Sequence, residues 1–576
     1  MSRTAPTAAT TGVLRRLVDL RLTYGPGVAA ARLPLLGALE RGRLRSAADV
    51  RQLHEILSFL YAYPDDAAVF AQVERMLRAF DARSDLRRHR RALTDSGIAG
   101  TDIVHPFLGS TARWLAARWG DNLTIEWREI ERVGLLEGRL PHFALWAERP
   151  VFDEPPLASR AWLERIRGTD TDAAFVIRRS AALAGPDLVR DHVYDELGLT
   201  VRLAAGPGTP NRTGARVPGR AVEAQARPLR RGRPDLANDI LVPPERIVAI
   251  DSRRARSLID LAREAMVTHG RDLYTFAAAE PRDVRVVDCG HGLEFACIGV
   301  VPGQRLLLDA VYGFLTLQNG VPIGYALAGV LWRSAEVAYN IFDTYRGAEA
   351  AWIYGRLLAT IAALFPVDAF TIDPFQLGHG NDEGLESGAW WFYYKLGFRP
   401  RDRAAAALAR EEADKVRRHP AYRTTQATLK QLVQANLFLH VGPERRDVLG
   451  DIPVDAIGLK VTGYVVARFG SDRERATRVL ADEAADRLGA NDWHRFPAAE
   501  RLFWERWAPL VALLPGLDRW PAADKRALVA TIRAKGGLRE SDFVARFDAH
   551  RRLAAGMVAL ARGAGLPTPA LPARSR

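Results

Sequence analysis

The sequence predicts an α+β chain of several domains, with a mixed sheet inside residues 246–400 and mainly helical regions before and after it. Three observations carry that expectation. The chain has 576 residues, room for about four domains of ~150 residues. Ala310 to Trp332 carries no charge, but Asn319-Gly320 and Pro322 interrupt it, so it reads as two strands joined by a tight turn and not as a membrane span. Elsewhere apolar residues recur at helical spacing, as in Phe70, Val73, Leu77 and Phe80, or Ile353, Leu357, Ile361 and Leu364.

Taken in order, residues 1–205 read as a mainly helical region. Met1 to Leu22 has arginines but no continuous apolar run, so it reads as a frayed tail and not as a signal peptide. Gly25-Pro26-Gly27-Val28-Ala29-Ala30 fits GxGxxA, but Pro in the turn and no following βαβ unit argue against a dinucleotide site. Pro64-Asp65-Asp66 starts the helix that carries Phe70. Trp114, Trp119 and Trp127 read as packing residues. Ala173 to Ile177 is strand-like, Gly185-Pro186-Asp187 opens a helix through Leu197, and Leu199 to Leu203 is strand-like again, one short β-α-β unit. Residues 206–245 form a Gly/Pro/Arg-rich linker or long loop, in which Arg212, Arg216, Arg220, Arg227, Arg230, Arg231 and Arg233 face Glu223.

Residues 246–400 are the most patterned. Ser252 to His269 is an amphipathic helix. Strands are expected at 284–287, 293–301, 310–318, 321–331 and 336–342. A helix follows from Ala348 to Phe365, then a strand from Ala369 to Ile372, a polar loop to Glu386, and a short aromatic helix from Ser387 to Leu396. In the mainly helical region 401–576, helices are expected at 404–418 and 425–440. Ser471-Asp472-Arg473-Glu474 reads as a capping box for a helix that stops at Gly489, and Pro521 starts one that stops at Gly536-Gly537. Val461 to Phe469 reads as an isolated strand.

Composition narrows the chemistry. The formal charge is +13, and lysine occurs at only six positions, none before Lys395. A GxxxxGK[ST] loop and a kinase strand lysine are thereby excluded, and HExxH, GxSxG and CxxC are absent. Two cysteines, Cys289 and Cys297, are too few for a disulfide framework and suit a cytoplasmic protein. No metal site is expected. The basic excess allows weak, nonspecific contact with nucleic acid.

The order hairpin, strand, turn, long helix, strand, short aromatic helix and Gly397-Phe398 resembles the GNAT (GCN5-related N-acyltransferase) family over about residues 310–400. Two segments carry the likeness: YNIFDTYRGAEAAWIYGRLL, Tyr339 to Leu358, and SGAWWFYYKLGFRP, Ser387 to Pro400. The resemblance implies a GNAT-like mixed sheet and N-acyl transfer from acyl-CoA or a similar thioester to a small-molecule or peptide amine. It implies that Ile341, Phe342, Tyr345, Arg346, Gly347 and Ala348 hold the donor, and that Tyr393 protonates the departing thiolate. A turn entering a helix N-terminus presents free N–H groups and suits a pyrophosphate. Against the family pattern R/Q-x-x-G-x-G/A, Glu349 stands where a glycine is expected, and a carboxylate there repels phosphate. Glu383 is taken as the base, with Glu386, Asp373 and His379 as alternatives in the same loop. Two other readings stay open: a non-catalytic scaffold on a degenerate GNAT fold, and a tRNA- or nucleic-acid-linked factor. The oligomeric state is not legible.

Overall fold

The computed structural model describes residues 5–130, 133–152 and 158–563. The chain is α+β, with a large mixed sheet and helical regions before and after it. Three short strands, β1 (Ile103–His105), β2 (Leu123–Ile125) and β3 (Val201–Leu203), make a small antiparallel sheet in the order β1-β3-β2. Nine more make the large one: β4 (Arg246–Ala249), β5 (Ala279–Asp288), β6 (Leu293–Val300), β7 (Ala310–Gln318), β8 (Val321–Leu331), β9 (Ser334–Ile341), β10 (Ala369–Ile372), β11 (Arg399–Pro400) and β12 (Leu437–His440). Its order is β11-β12-β10-β9-β8-β7-β6-β5-β4. Neighbours run antiparallel except β9 and β10, which are parallel and joined by the Ala350–Leu364 helix.

The β7–β8 hairpin follows from its turn. Asn319 and Gly320 have φ of 51° and 78°, the two left-handed residues that a tight two-residue hairpin requires. All of β6 is buried, apolar but for Glu294, which pairs with Arg220 at 2.9 Å. The helix Ser252–Thr268 packs on β5 and β8, Ala350–Leu364 on β6 and β9, and Glu540–Ala549 on β7 and β8. One apolar core joins the helices of residues 14–98, the large sheet and the C-terminal helices, while residues 103–203, with Val267, build a second core.

Several expectations are corrected. Ala173–Ile177 lies inside a helix, Asp172–Ala181, which Thr171 caps by accepting from the Ala174 N–H, so the unit before β3 is not β-α-β. The segment 461–469 is the second half of the helix Val454–Phe469, with Ile457, Lys460 and Val465 buried along it. The helix expected over 425–440 stops at Leu432, and Leu437–His440 pairs with β10 as β12. Within Met1–Leu22, residues Ala5–Asp19 are a helix that buries Leu14 and Leu17. Asp472, not Ser471, caps the helix that ends at Gly489. Gly27 begins a helix that follows another helix, so no strand precedes GxGxxA.

Residues 204–235 hold no helix or strand but are knitted into the body. The Val217 N–H donates to the Gly320 carbonyl at 2.9 Å, the Glu223 N–H to Asn319 Oδ1 at 2.8 Å, and the Gln225 N–H to the Pro64 carbonyl at 2.7 Å. Among the described residues no helix is long and apolar enough to cross a membrane.

Candidate functional site

The site begins where two parallel strands part. β9 pairs with β10 only at Ser334, Ala335 and Glu336. From Val337 to Ile341 it has no strand partner on its β10 side among the described residues. The chain then makes a short turn, Asp343–Tyr345, passes Gly347 at a left-handed φ of 83°, and enters the Ala350–Leu364 helix. Opposite that free edge stand two short helices, Asp382–Ser387 and Ala389–Lys395. Between the two sides is an open cleft of about 210 Å³. Tyr339, Asn340, Ile341 and Arg346 line one wall, Glu383, Ser387, Phe392 and Tyr393 the other.

The fold thus brings Ile341, Arg346, Glu383 and Tyr393 to one cleft. Phe342, Tyr345 and Ala348 do not line it. Phe342 is buried and stacks on His269 with ring centres 3.6 Å apart, Tyr345 stacks on Phe59 at 6.4 Å, and Ala348 is in the core. Gly347 is exposed.

Tyr393 is only 3% exposed, and its ring meets those of Tyr354 at 5.5 Å and Phe398 at 5.8 Å. Burial pushes its phenol above the ordinary value, so the group stays protonated at neutral pH and is available as a donor. The next residue, Tyr394, stacks on Trp390 at 4.8 Å, with the Arg399 guanidinium 4.1 Å from its ring centre. Helical spacing separates the two tyrosines: Tyr393 lines the cleft and Tyr394 packs outside it.

Charge in the cleft is arranged in a chain. Arg346 binds Asp343 at 3.0 Å and Glu383 at 3.0 Å, and Glu383 also accepts from Arg271 at 2.7 Å. Partial burial pushes the Glu383 carboxyl up, but the two guanidinium groups prevail and hold it below the ordinary value. Glu349, at the start of the 350–364 helix, is buried and accepts from the backbone N–H of Arg230 at 2.8 Å. The Arg230 guanidinium lies 4.4 Å from the Trp352 ring centre. The troublesome carboxylate is therefore tied to the 206–245 segment.

Sequence reasoning missed Glu336, the last β9 residue to pair with β10. Burial, with Asp373 and Asp309 nearby, raises its carboxyl to about 7. The alternation of side chains along a strand puts it on the same face of β9 as Asn340. No local pattern marks it, because Asp373 and Asp309 come from the end of β10 and the start of β7.

A second, polar pocket of about 130 Å³ lies on the other side of the 343–345 turn. Arg51, Asp95, Arg212, His269, Arg271 and Asp343 line it, and Asn340 belongs to both pockets. Glu55, Arg212 and Thr344 form one interlocked wall. Arg212 pairs with Glu55, Thr344 donates to Glu55, and Arg212 Nη1 reaches Thr344 Oγ1 at 3.0 Å. Burial alone would raise the Glu55 carboxyl, yet Arg212 holds it at about 2.

Of the basic residues in the 206–234 run, Arg212, Arg216 and Arg220 turn inward, onto Glu55, the Asn319 carbonyl, and Asp288 with Glu294. No family model, no curated protein and no solved structure matches the chain.

Proposed function

We propose that the chain is a GNAT-like N-acyltransferase that moves an acyl group from an acyl-CoA-type thioester to an amine. One observation carries the reading: an unpaired strand edge, a turn into a long helix and a protonated tyrosine face one cleft. The free edge of β9 offers backbone N–H and C=O groups to the amides of a pantetheine arm. The turn at Arg346 offers free helix N–H groups and a guanidinium to a diphosphate.

The reaction joins the amine nitrogen to the thioester carbonyl carbon and breaks the carbon–sulfur bond. The Tyr393 hydroxyl gives its proton to the leaving thiolate. Glu383 holds Arg346 and Arg271 in place, and its lowered pKa makes it a weak base. The amine's proton leaves to water in the open cleft, since Glu336 lines neither pocket.

A second reading, a non-catalytic protein on the same scaffold, draws on the charge chain. Arg346 is already neutralised by Asp343 and Glu383, so a phosphate must displace them. The nucleic-acid reading is weaker, because Arg212, Arg216 and Arg220 are engaged inside the fold. Thermal unfolding with acetyl-CoA, longer acyl-CoAs and free CoA separates enzyme from scaffold. A ligand that binds only the folded state raises Tm, and Arg346→Ala removes the rise. No rise with any of the three favours the scaffold.

A further inference from the structure

The polar pocket beyond the 343–345 turn has groups that the fold leaves unused. Its Glu55–Arg212–Thr344 wall is saturated, with Arg212 Nε also donating to the Ser96 carbonyl at 2.6 Å. Arg51 is exposed and has no carboxylate in ion-pair distance among the described residues. Asp95 spends only Oδ1, on the Val104 N–H at 2.5 Å. Asp343 spends only Oδ1, on Arg346 at 3.0 Å, and its side chain is 85% exposed.

His269 adds a specific clue. Burial lowers its pKa to about 3, so the ring is neutral. Its Nδ1 lies 2.8 Å from the Ala265 carbonyl oxygen. A carbonyl only accepts, so Nδ1 carries the proton and Nε2 is left with a lone pair. That Nε2 is buried and has no hydrogen-bond partner, a cost that a donor from a ligand would relieve. The pocket therefore offers an unpaired guanidinium, two carboxylates with spare oxygens and one acceptor nitrogen.

We propose that this pocket is the acceptor subsite and takes a small amine that also carries a carboxylate, an amino-acid-like molecule. The assignment rests on the acyl-transfer reading of the neighbouring cleft. The ligand carboxylate pairs with Arg51, and its ammonium group faces Asp95, Asp343 and His269. For transfer the ammonium loses a proton to water, the neutral nitrogen attacks the thioester carbonyl, and the carbon–sulfur bond breaks. Tyr393 protonates the thiolate and recovers a proton through solvent from the acylated nitrogen, giving an N-acyl amino acid and a free thiol. The amide product carries no positive charge, so the attraction of Asp95 and Asp343 is lost and release follows.

The test is calorimetric titration of the full-length protein, with and without free CoA, using a panel of L-amino acids. L-Alanine is accompanied by ethylamine and propionate, each lacking one charged group, and any other binder by its own such analogues. At least one amino acid binds, and removing either group weakens it by about tenfold or more, as expected for a charge-assisted contact. Arg51→Gln and Asp343→Asn weaken it similarly, and both leave Tm unchanged because the two residues are exposed. Binding of none of the amino acids, or equal binding of the amine without its carboxylate, overturns the proposal. CoA binding without amino-acid binding removes the acceptor assignment alone. Amino-acid binding without CoA binding keeps the amino-acid site and removes the transfer reading and its acceptor role.

Discussion

Replacing Tyr393 by Phe isolates one oxygen atom. The ring keeps its contacts with Tyr354, Phe392 and Phe398, and the hydroxyl lost has no hydrogen-bond partner within the described residues, so no donor or acceptor is orphaned. The stability change stays within about 0.5 kcal/mol. Tyr393→Ala, by contrast, opens a cavity in the aromatic cluster and costs about 3–5 kcal/mol. If the hydroxyl protonates the thiolate, its removal slows transfer by about 10²–10⁴, equivalent to ~3–5 kcal/mol of barrier at 1.36 kcal/mol per decade. The assay is release of free thiol from an acyl-CoA with an amine acceptor present, in single turnover, alongside thermal unfolding and CoA titration. Tyr393→Phe loses rate while keeping Tm and CoA affinity, and Tyr394→Phe, altering a residue stacked outside the cleft, loses little. A Tyr393→Phe protein that turns over at the wild-type rate refutes the acid assignment.

Glu383→Gln breaks the chain from Arg271 to Arg346 and frees a guanidinium for phosphate. CoA affinity should rise severalfold, read by titration, while Arg346→Gln lowers it. Glu336 has a stability signature. A carboxyl whose folded pKa is raised penalises the fold increasingly from its unfolded value near 4.5 up to about 7. Glu336→Gln therefore raises Tm at pH 8 and leaves it unchanged at pH 4. Glu540→Ala leaves Lys535 and Arg305 uncompensated beneath the C-terminal helices, since Lys535 lies 2.5 Å and Arg305 3.8 Å from the Glu540 carboxylate. Removing one partner of such a buried set costs about 3–5 kcal/mol, read by chemical denaturation.

Legibility in the sequence followed the range of the interactions. The β7–β8 hairpin was readable because Asn319-Gly320 sits between two apolar runs, and its ends at Gln318 and Val321 match the expectation. The 350–364 helix was readable from Ile353, Leu357 and Ile361, all buried. Where short apolar runs had no such punctuation, periodicity misled. Val461, Val465 and Val466 suggest a strand, but helix packing against residues 551–562 decides their conformation. β12 was hidden because its partners, β10 and β11, lie far along the chain. Of the candidate site, Arg346 and Tyr393 were visible through local motifs. The polar pocket was not, because Arg51, Asp95, Arg212, Arg271 and Asp343 meet only through tertiary packing. The raised pKa of Glu336 was invisible for the same reason.

The central claim is that the β9 edge, the Arg346 turn and Tyr393 together hold a CoA thioester. A crystal structure of the full chain with a non-hydrolysable acyl-CoA analogue tests it most directly. The account predicts the diphosphate at the Arg346 turn with Glu383 displaced from that guanidinium, the pantetheine arm along Val337–Ile341, and the sulfur within hydrogen-bond reach of the Tyr393 hydroxyl. An analogue bound elsewhere, or a cleft left empty at saturating ligand with the Arg346–Glu383 pair intact, would contradict it.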